Sequence, residues 1–110
     1  MSTRTEFNRL FKEWKKYCSG DVRFSSNPMD YLNCDAYRGI VAMGPAVLPL
    51  IREAYSKGED INTLGFGSFS SIISQVVGDD FKIPEEIHGH RDRTRKFSMQ
   101  WLDKNMHRYL

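Results

Sequence analysis

The sequence has few of the features that stabilise small exported proteins or anchor proteins in membranes. It contains two cysteines, Cys18 and Cys34, which are too few for a disulfide framework. No apolar run approaches the roughly 20 residues that a membrane-spanning helix needs, and the charged stretch from Met1 to Lys16 lacks the apolar segment of a signal peptide. We therefore expect a cytoplasmic protein with no membrane partner.

The sequence also lacks an excess of charge of one sign. Sixteen Lys and Arg residues stand against fourteen Asp and Glu residues, for a formal net charge of +2. A protein that binds nucleic acid without sequence preference usually has a larger basic excess. The charges are unevenly placed, however, because acidic residues within positions 79–86 are followed by basic residues within positions 91–96. We interpret this pattern as an exposed helix whose preceding turn carries the opposite charge, as the helix dipole favours.

Apolar residues recur at helical spacing along most of the chain, and a hydrophobic content of 40% is ordinary for a folded domain. In the first segment, Phe7, Leu10 and Trp14 fall on one helical face, and Thr3 followed by Glu6 fits a capping box. The spacing predicts helices over about 4–18, 45–58, 68–78 and 90–107. A further short helix, with Asp30 or Asn33 as its cap, contains Tyr37, Ile40 and Val41 and ends at 43–44. No segment reads convincingly as a strand.

Glycine and proline mark the expected ends of these helices. Gly44, Gly58 and Gly78 each follow an apolar helical segment, where glycine can adopt the left-handed conformation that ends a helix. Pro45 suits the first position of the next helix, whereas Pro49 requires a start near position 48 or a distorted first turn. We predict an all-α protein, an irregular bundle of four to five helices in a single domain over 1–110.

The segment from Tyr37 to Glu53, YRGIVAMGPAVLPLIRE, resembles a small all-helical family of bacteria and their phages. The resemblance covers about residues 35–105 and rests on a Met-Gly-Pro corner followed by Leu-Pro-Leu-Ile. It implies a helical corner similar in shape to a HEAT-type repeat, and it implies no catalytic residue. The chain departs from the family at Ser70, Ser71 and Ile72, where aromatic residues are frequent.

No constellation of catalytic or metal-binding residues stands out. His88 and His90 form a single His-x-His pair in a glycine turn, whereas zinc sites usually show two closely spaced ligand pairs. The pattern assigns no histidine base to either cysteine, so both are interpreted as ordinary thiols. We predict that the protein is not an enzyme and has no metal and no cofactor.

The aromatic content is the feature that favours protein binding. Seven Phe, five Tyr and two Trp exceed what four or five short helices need to fill one core, so some should lie on the surface as contact anchors. The sequence predicts a non-catalytic protein-binding module or regulator. Through the resemblance, a phage or mobile-element origin and a host complex as the target are implied. The candidate contact residues lie in loops or at the chain end: Tyr31, Phe66, Phe81 and Tyr109.

The alternative is a nucleic-acid-associated protein that uses the basic start of its last helix. Side chains one turn apart there could contact successive phosphates. The identity of the partner, the oligomeric state and the order of the 19–33 loop stay open at this point. The residues of the alternative site are His90, Arg91, Arg93, Arg95 and Lys96.

Overall fold

Five α-helices make up most of the part of the chain that the computed structural model describes. That part comprises residues 2–20, 33–59, 62–63, 66–87 and 90–110, with the backbone alone for residues 62, 63, 66–68 and 91. The predicted 19–33 loop, with Tyr31, lies almost entirely outside the described residues. The helices are α1 (Thr3–Cys18), α2 (Asp35–Ala42), α3 (Leu48–Ser56), α4 (Ser68–Val77) and α5 (Arg91–Asn105). The prediction of an all-α irregular bundle is confirmed.

Short 3-10 turns extend or join these helices. They lie at Gly44–Val47, Gly78–Asp80, Glu85–Ile87 and Met106–Tyr109. One local feature differs from the sequence expectation, because two very short strands pair in antiparallel fashion before α4. They are β1 (Asn62–Thr63) and β2 (Phe66–Gly67). Two residues per strand carry no alternating apolar pattern, so the sequence offered no signal for this ladder.

The first helix begins one residue earlier than the sequence suggests. Its N-cap is Ser2, whose hydroxyl accepts a hydrogen bond from the backbone N–H of Thr5 at 3.1 Å. The predicted capping box from Thr3 is therefore wrong. Glu6 instead binds Arg9 on the next turn, with Arg9 Nη2 2.5 Å from Glu6 Oε1.

The corner between α2 and α3 follows the expected backbone chemistry. Gly44 has a φ of +73°, in the left-handed region that residues with a side chain rarely adopt, and it ends α2. Pro45 then opens a 3-10 turn, and α3 starts at Leu48 so that Pro49 falls in its first turn. Both parts of the Pro49 expectation are thus met, because the regular helix starts late and a tighter turn precedes it.

The core is built around aromatic rings that four helices, α1 to α4, contribute. The ring of Phe69 on α4 lies 4.9 Å from that of Phe11 and 6.4 Å from that of Phe7, both on α1. On its other side, the Tyr55 ring of α3 meets Phe69 edge-on at 5.2 Å. A further contact joins Trp14 of α1 to Tyr37 of α2, with 5.0 Å between ring centres. These rings are almost fully buried, so α1 to α4 share one apolar centre.

Two ion pairs connect α3 to other helices at the surface. Arg4 of α1 lies 2.6 Å from Glu53 of α3, and Arg52 of α3 makes a two-point contact with Asp103 of α5 at 2.7 and 3.2 Å. The guanidinium of Arg52 lowers the pKa of the Asp103 carboxyl, chiefly through the hydrogen bond. Because both pairs are largely exposed, each adds little to stability. They link α3 to α1 and to α5 at the surface.

Replacing Phe69 with Ala should destabilise the protein more than any surface change. The substitution removes a ring that three other rings contact and leaves a cavity, which costs about 3–5 kcal/mol in other cores. Urea unfolding of Phe69→Ala should show this loss, and Ser74→Ala on an exposed position of the same helix should change stability by less than about 0.5 kcal/mol. Equal stability of the two variants would contradict the core described above.

Candidate protein-contact surface

Of the four predicted contact residues, the structure describes the side chains of two, Phe81 and Tyr109. Tyr31 lies outside the described residues, and only the backbone of Phe66 is described, in β2. Phe81 is 3% exposed, so the expectation that it lies on the surface is wrong. Its ring turns inward because the 3-10 turn at Gly78–Asp80 leads the chain back onto α5. Tyr109 is half-buried in the final 3-10 turn.

Four aromatic rings form a continuous row beside α5. Phe81 lies 5.8 Å from Phe97 and 5.2 Å from Trp101, and Trp101 lies 6.3 Å from Tyr109. The row passes from the buried Phe81 to the half-exposed Trp101 and Tyr109. Leu110 follows with 67% of its surface exposed, the largest exposed apolar side chain among the described residues. We call Trp101, Tyr109 and Leu110 the C-terminal aromatic face.

Asp80 holds this face in place. Its carboxylate accepts hydrogen bonds from the hydroxyl of Tyr109 and, at 3.2 Å, from the guanidinium of Arg108. The indole N–H of Trp101 donates to the backbone carbonyl of Asp80 at 3.0 Å. Arg108 also donates to the side chain of Asn105 at 3.0 Å. One turn between α4 and α5 therefore orients both aromatic side chains of the face.

The bond to Asp80 changes the acidity of Tyr109. Loss of the hydroxyl proton would break the hydrogen bond and place two negative charges side by side, so the pKa of Tyr109 is raised. A raised pKa means that, while Asp80 is ionised, the bond stabilises the fold at pH values below the ordinary tyrosine value of about 10. Its contribution is lost as the pH rises through the higher value of the folded protein.

The basic residues at the start of α5 are divided by the structure. His90, Arg93 and Lys96 are exposed, and the Arg91 side chain lies outside the described residues. Arg95 is half-buried, and its guanidinium donates a hydrogen bond to the backbone carbonyl of Tyr55 near the end of α3. Arg95 thus connects α5 to α3 and neutralises the negative end of that helix. It is not an open contact for a phosphate, which corrects the predicted five-residue site.

An open groove of about 320 Å³ lies between α4 and the turn that follows it. Its described lining comprises Ser74, Phe81, Lys82 and Ile83. A catalytic pocket usually combines several convergent polar groups. The described lining supplies one hydroxyl and one amine, and the groove is therefore not assigned a reaction.

The described ranges contain neither a cluster of metal ligands nor a helix that could span a membrane. Across residues 2–20, 33–59, 69–87 and 90–110, no three His, Cys, Asp or Glu side chains form a group that could hold a metal ion. His88 of the His-x-His pair is outside those ranges. None of the helices that the structure describes has the length and apolar character needed to cross a membrane.

Comparison with known proteins gives one partial similarity. No protein-family model matches the chain, and no solved structure matches it. A stretch of 86 residues, 77% of the chain, is 29% identical to one of the subunits of the Na(+)-translocating NADH-quinone reductase from Chlamydia pneumoniae. The chain spans only 17% of the length of that protein. The resemblance to a small helical family stays a prediction.

The role of Trp101 and Asp80 was missed from the sequence, although part of it was visible. The apolar spacing places Trp101 on the core face of the predicted last helix, whereas Tyr109 lies beyond that helix. Phe97 and Trp101 are four residues apart and fall on one helical face, so this part of the row was visible in the sequence. Nothing in the sequence indicates the role of Asp80, because its contacts with Arg108 and Tyr109 depend on how α4 and α5 pack.

Replacing Asp80 with Ala should loosen the C-terminal aromatic face while the core stays folded. The variant loses both side-chain bonds to Arg108 and Tyr109 but keeps the backbone carbonyl that Trp101 uses. Hydrogen exchange at 106–110 should become faster, and the Tm should fall by less than about 5 °C, since the contact is exposed. Asp79→Ala at the exposed neighbouring position is the control, and unchanged exchange in Asp80→Ala would contradict the assigned role.

Proposed function

We propose that this chain is a non-catalytic protein-binding module that contacts its partner through the C-terminal aromatic face. The observation that carries the proposal is the exposed Leu110 beside the half-exposed rings of Trp101 and Tyr109. An apolar side chain that is 67% exposed gains free energy when a partner covers it. Trp and Tyr are also the residue types that most often contribute strongly to protein interfaces.

The arrangement of the face supports binding because its aromatic side chains are held before a partner arrives. Asp80 fixes Tyr109 through its carboxylate and Trp101 through its carbonyl. Ordering a flexible side chain at an interface costs about 0.5–1.5 kcal/mol, and a side chain that is already fixed avoids much of this cost. The complementary partner surface would offer an apolar pocket for Leu110, with a flat apolar rim for the two rings.

The similarity to one chain of a reductase is in keeping with a role in an assembly. The relative is named as a subunit, so it works together with other chains. Because the matched part is 17% of that protein, its activity is not transferred to this chain. The family resemblance favours one form of this function, a regulator of phage or mobile-element origin that acts on a host complex.

Nucleic-acid association is the second candidate, and one observation favours it. Arg93 and Lys96 are exposed one helical turn apart on α5, and His90 is exposed just before that helix. Such side chains can contact phosphates. Because Arg95 is engaged with Tyr55, the site is smaller than the sequence suggested, and we rank this function below protein binding.

Introducing a charge at Leu110 should abolish partner capture without changing the fold. Tagged wild-type protein and Leu110→Asp are compared by capture from a nuclease-treated lysate, followed by binding measurements with the purified candidate partner. We expect at least a tenfold loss of affinity, which corresponds to about 1.4 kcal/mol. The Tm should stay within about 2 °C, because most of the Leu110 side chain is exposed to solvent.

Asn33→Asp is the matched control, since it adds the same charge at an exposed position before α2. It should bind as the wild type does. Equal affinity of wild type, Leu110→Asp and Asn33→Asp for the same partner would exclude the C-terminal aromatic face as the contact surface.

Charge reversal on α5 separates the second candidate from the first. The double variant Arg93→Glu, Lys96→Glu should lose binding to a labelled DNA or RNA duplex if phosphates are the target, and wild-type affinity should fall steeply with salt. Lys104→Glu on the exposed C-terminal part of the same helix is the control. We expect weak or absent binding for all three proteins, and salt-sensitive binding lost only in the double variant would favour the nucleic-acid function.

A further inference from the structure

We propose that Cys18 and Cys34 form a reversible disulfide bond that joins the end of α1 to the start of α2. Cys18 is the last residue of α1 and Cys34 is the N-cap of α2. Both cysteines are thiols in this structure, and both are partly buried against the core. The inference does not depend on the proposed protein-binding function.

The packing of the two helices brings the end of α1, with Cys18, toward the start of α2, with Cys34. A side chain added at Gly39 of α2 would lie 3.2 Å from Leu10 of α1, and one turn further along α1 the Trp14 ring lies 5.0 Å from the ring of Tyr37. The helices therefore run in opposite directions, since the contacts approach the N-terminus of α2 as they approach the C-terminus of α1. The next turn of α1 ends at Cys18.

Followed in the same direction, these contacts lead from the end of α1 to the start of α2, where Cys34 stands three residues before Tyr37. A disulfide needs Cα atoms about 4.4–6.8 Å apart, a separation compatible with side chains that face each other across a tightly packed helix pair. An independent sign of closeness is electrostatic, because a charge on Cys34 adds to the effect of burial in raising the pKa of Cys18 to about 11. Charges on distant thiols would not interact in this way.

The chemistry requires a two-electron oxidant, and we assign a small-molecule disulfide such as oxidised glutathione. The thiolate of Cys34 attacks one sulfur of that disulfide, so that an S–S bond to the protein forms and one small thiol leaves. Cys18 then loses its proton and attacks the sulfur of Cys34, which releases the second small thiol. The protein thiols are oxidised to one disulfide, and the small disulfide is reduced to two thiols.

The structure favours Cys34 as the first nucleophile. Burial is the main cause that raises the pKa of Cys18 to about 11, so few Cys18 side chains are ionised near neutral pH. Cys34 lies at the start of α2, where the helix dipole attracts negative charge. Cys18 can still act second, because its target sulfur is then held beside it.

The primary test uses the unaltered full chain incubated with oxidised glutathione. We expect a monomer whose mass falls by two hydrogen atoms, and trypsin should yield peptide 17–23 linked to peptide 24–38, with both changes reversed by a reductant. The oxidised form should have a Tm about 10 °C higher, because the bond closes a loop from residue 18 to residue 34. Stable glutathione adducts, a disulfide-linked dimer or no reaction would each overturn the proposal.

Two conservative variants test the order of the steps. In Cys18→Ser the glutathione adduct should persist on Cys34, because no second thiol resolves it. In Cys34→Ser the glutathione adduct on Cys18 should form at least tenfold more slowly than the adduct on Cys34 forms in Cys18→Ser. Circular dichroism establishes that both variants are folded, and rapid modification of Cys18 in Cys34→Ser would overturn the assigned order.

Discussion

The packing of aromatic rings around Phe69 is the constraint on which the rest of the structure depends. Phe69 on α4 contacts Phe7 and Phe11 of α1 and Tyr55 of α3, so one ring position fixes three helices relative to one another. The carbonyl of Tyr55 then receives Arg95, which places α5 on the same unit. The position of the proposed contact surface on α5 follows from this arrangement.

Much of this fold could be predicted because helical spacing and helix ends are local properties. The apolar stripe of α1 and the glycine that ends α2 at position 44 depend on neighbouring residues alone, and the structure has both. The N-cap was harder, since Ser2 and Thr3 can both cap a helix and the choice depends on a single turn of backbone. The two-residue strands had no pattern long enough to recognise.

The candidate surface was less predictable because it depends on contacts between distant segments. Phe81 and Tyr109 look alike in the sequence, as aromatic residues outside regular helices. The structure separates them, since Phe81 is 3% exposed beneath Trp101 whereas Tyr109 is held at the rim by Asp80. The number of aromatic residues in the sequence indicates that some are not needed in the core. Which of them remain accessible is shown only by the packing of α5 against the turn before it.

The proposed contact surface and the proposed cysteine pair both lie away from the centre of the core, so their roles can be tested separately from stability. The rings that fix the helices are buried, whereas Leu110 lies at the chain end with most of its surface exposed. The two cysteines lie at helix ends, half-buried at the margin of the core rather than at its centre. A change at either place therefore removes few core contacts, and its effect on stability should be small. Suppose that Leu110→Asp loses partner binding, or that Cys34→Ser loses disulfide formation, while the variant unfolds as the wild type does. The loss then arises from the contact surface or from the thiol pair, and not from a change in the fold.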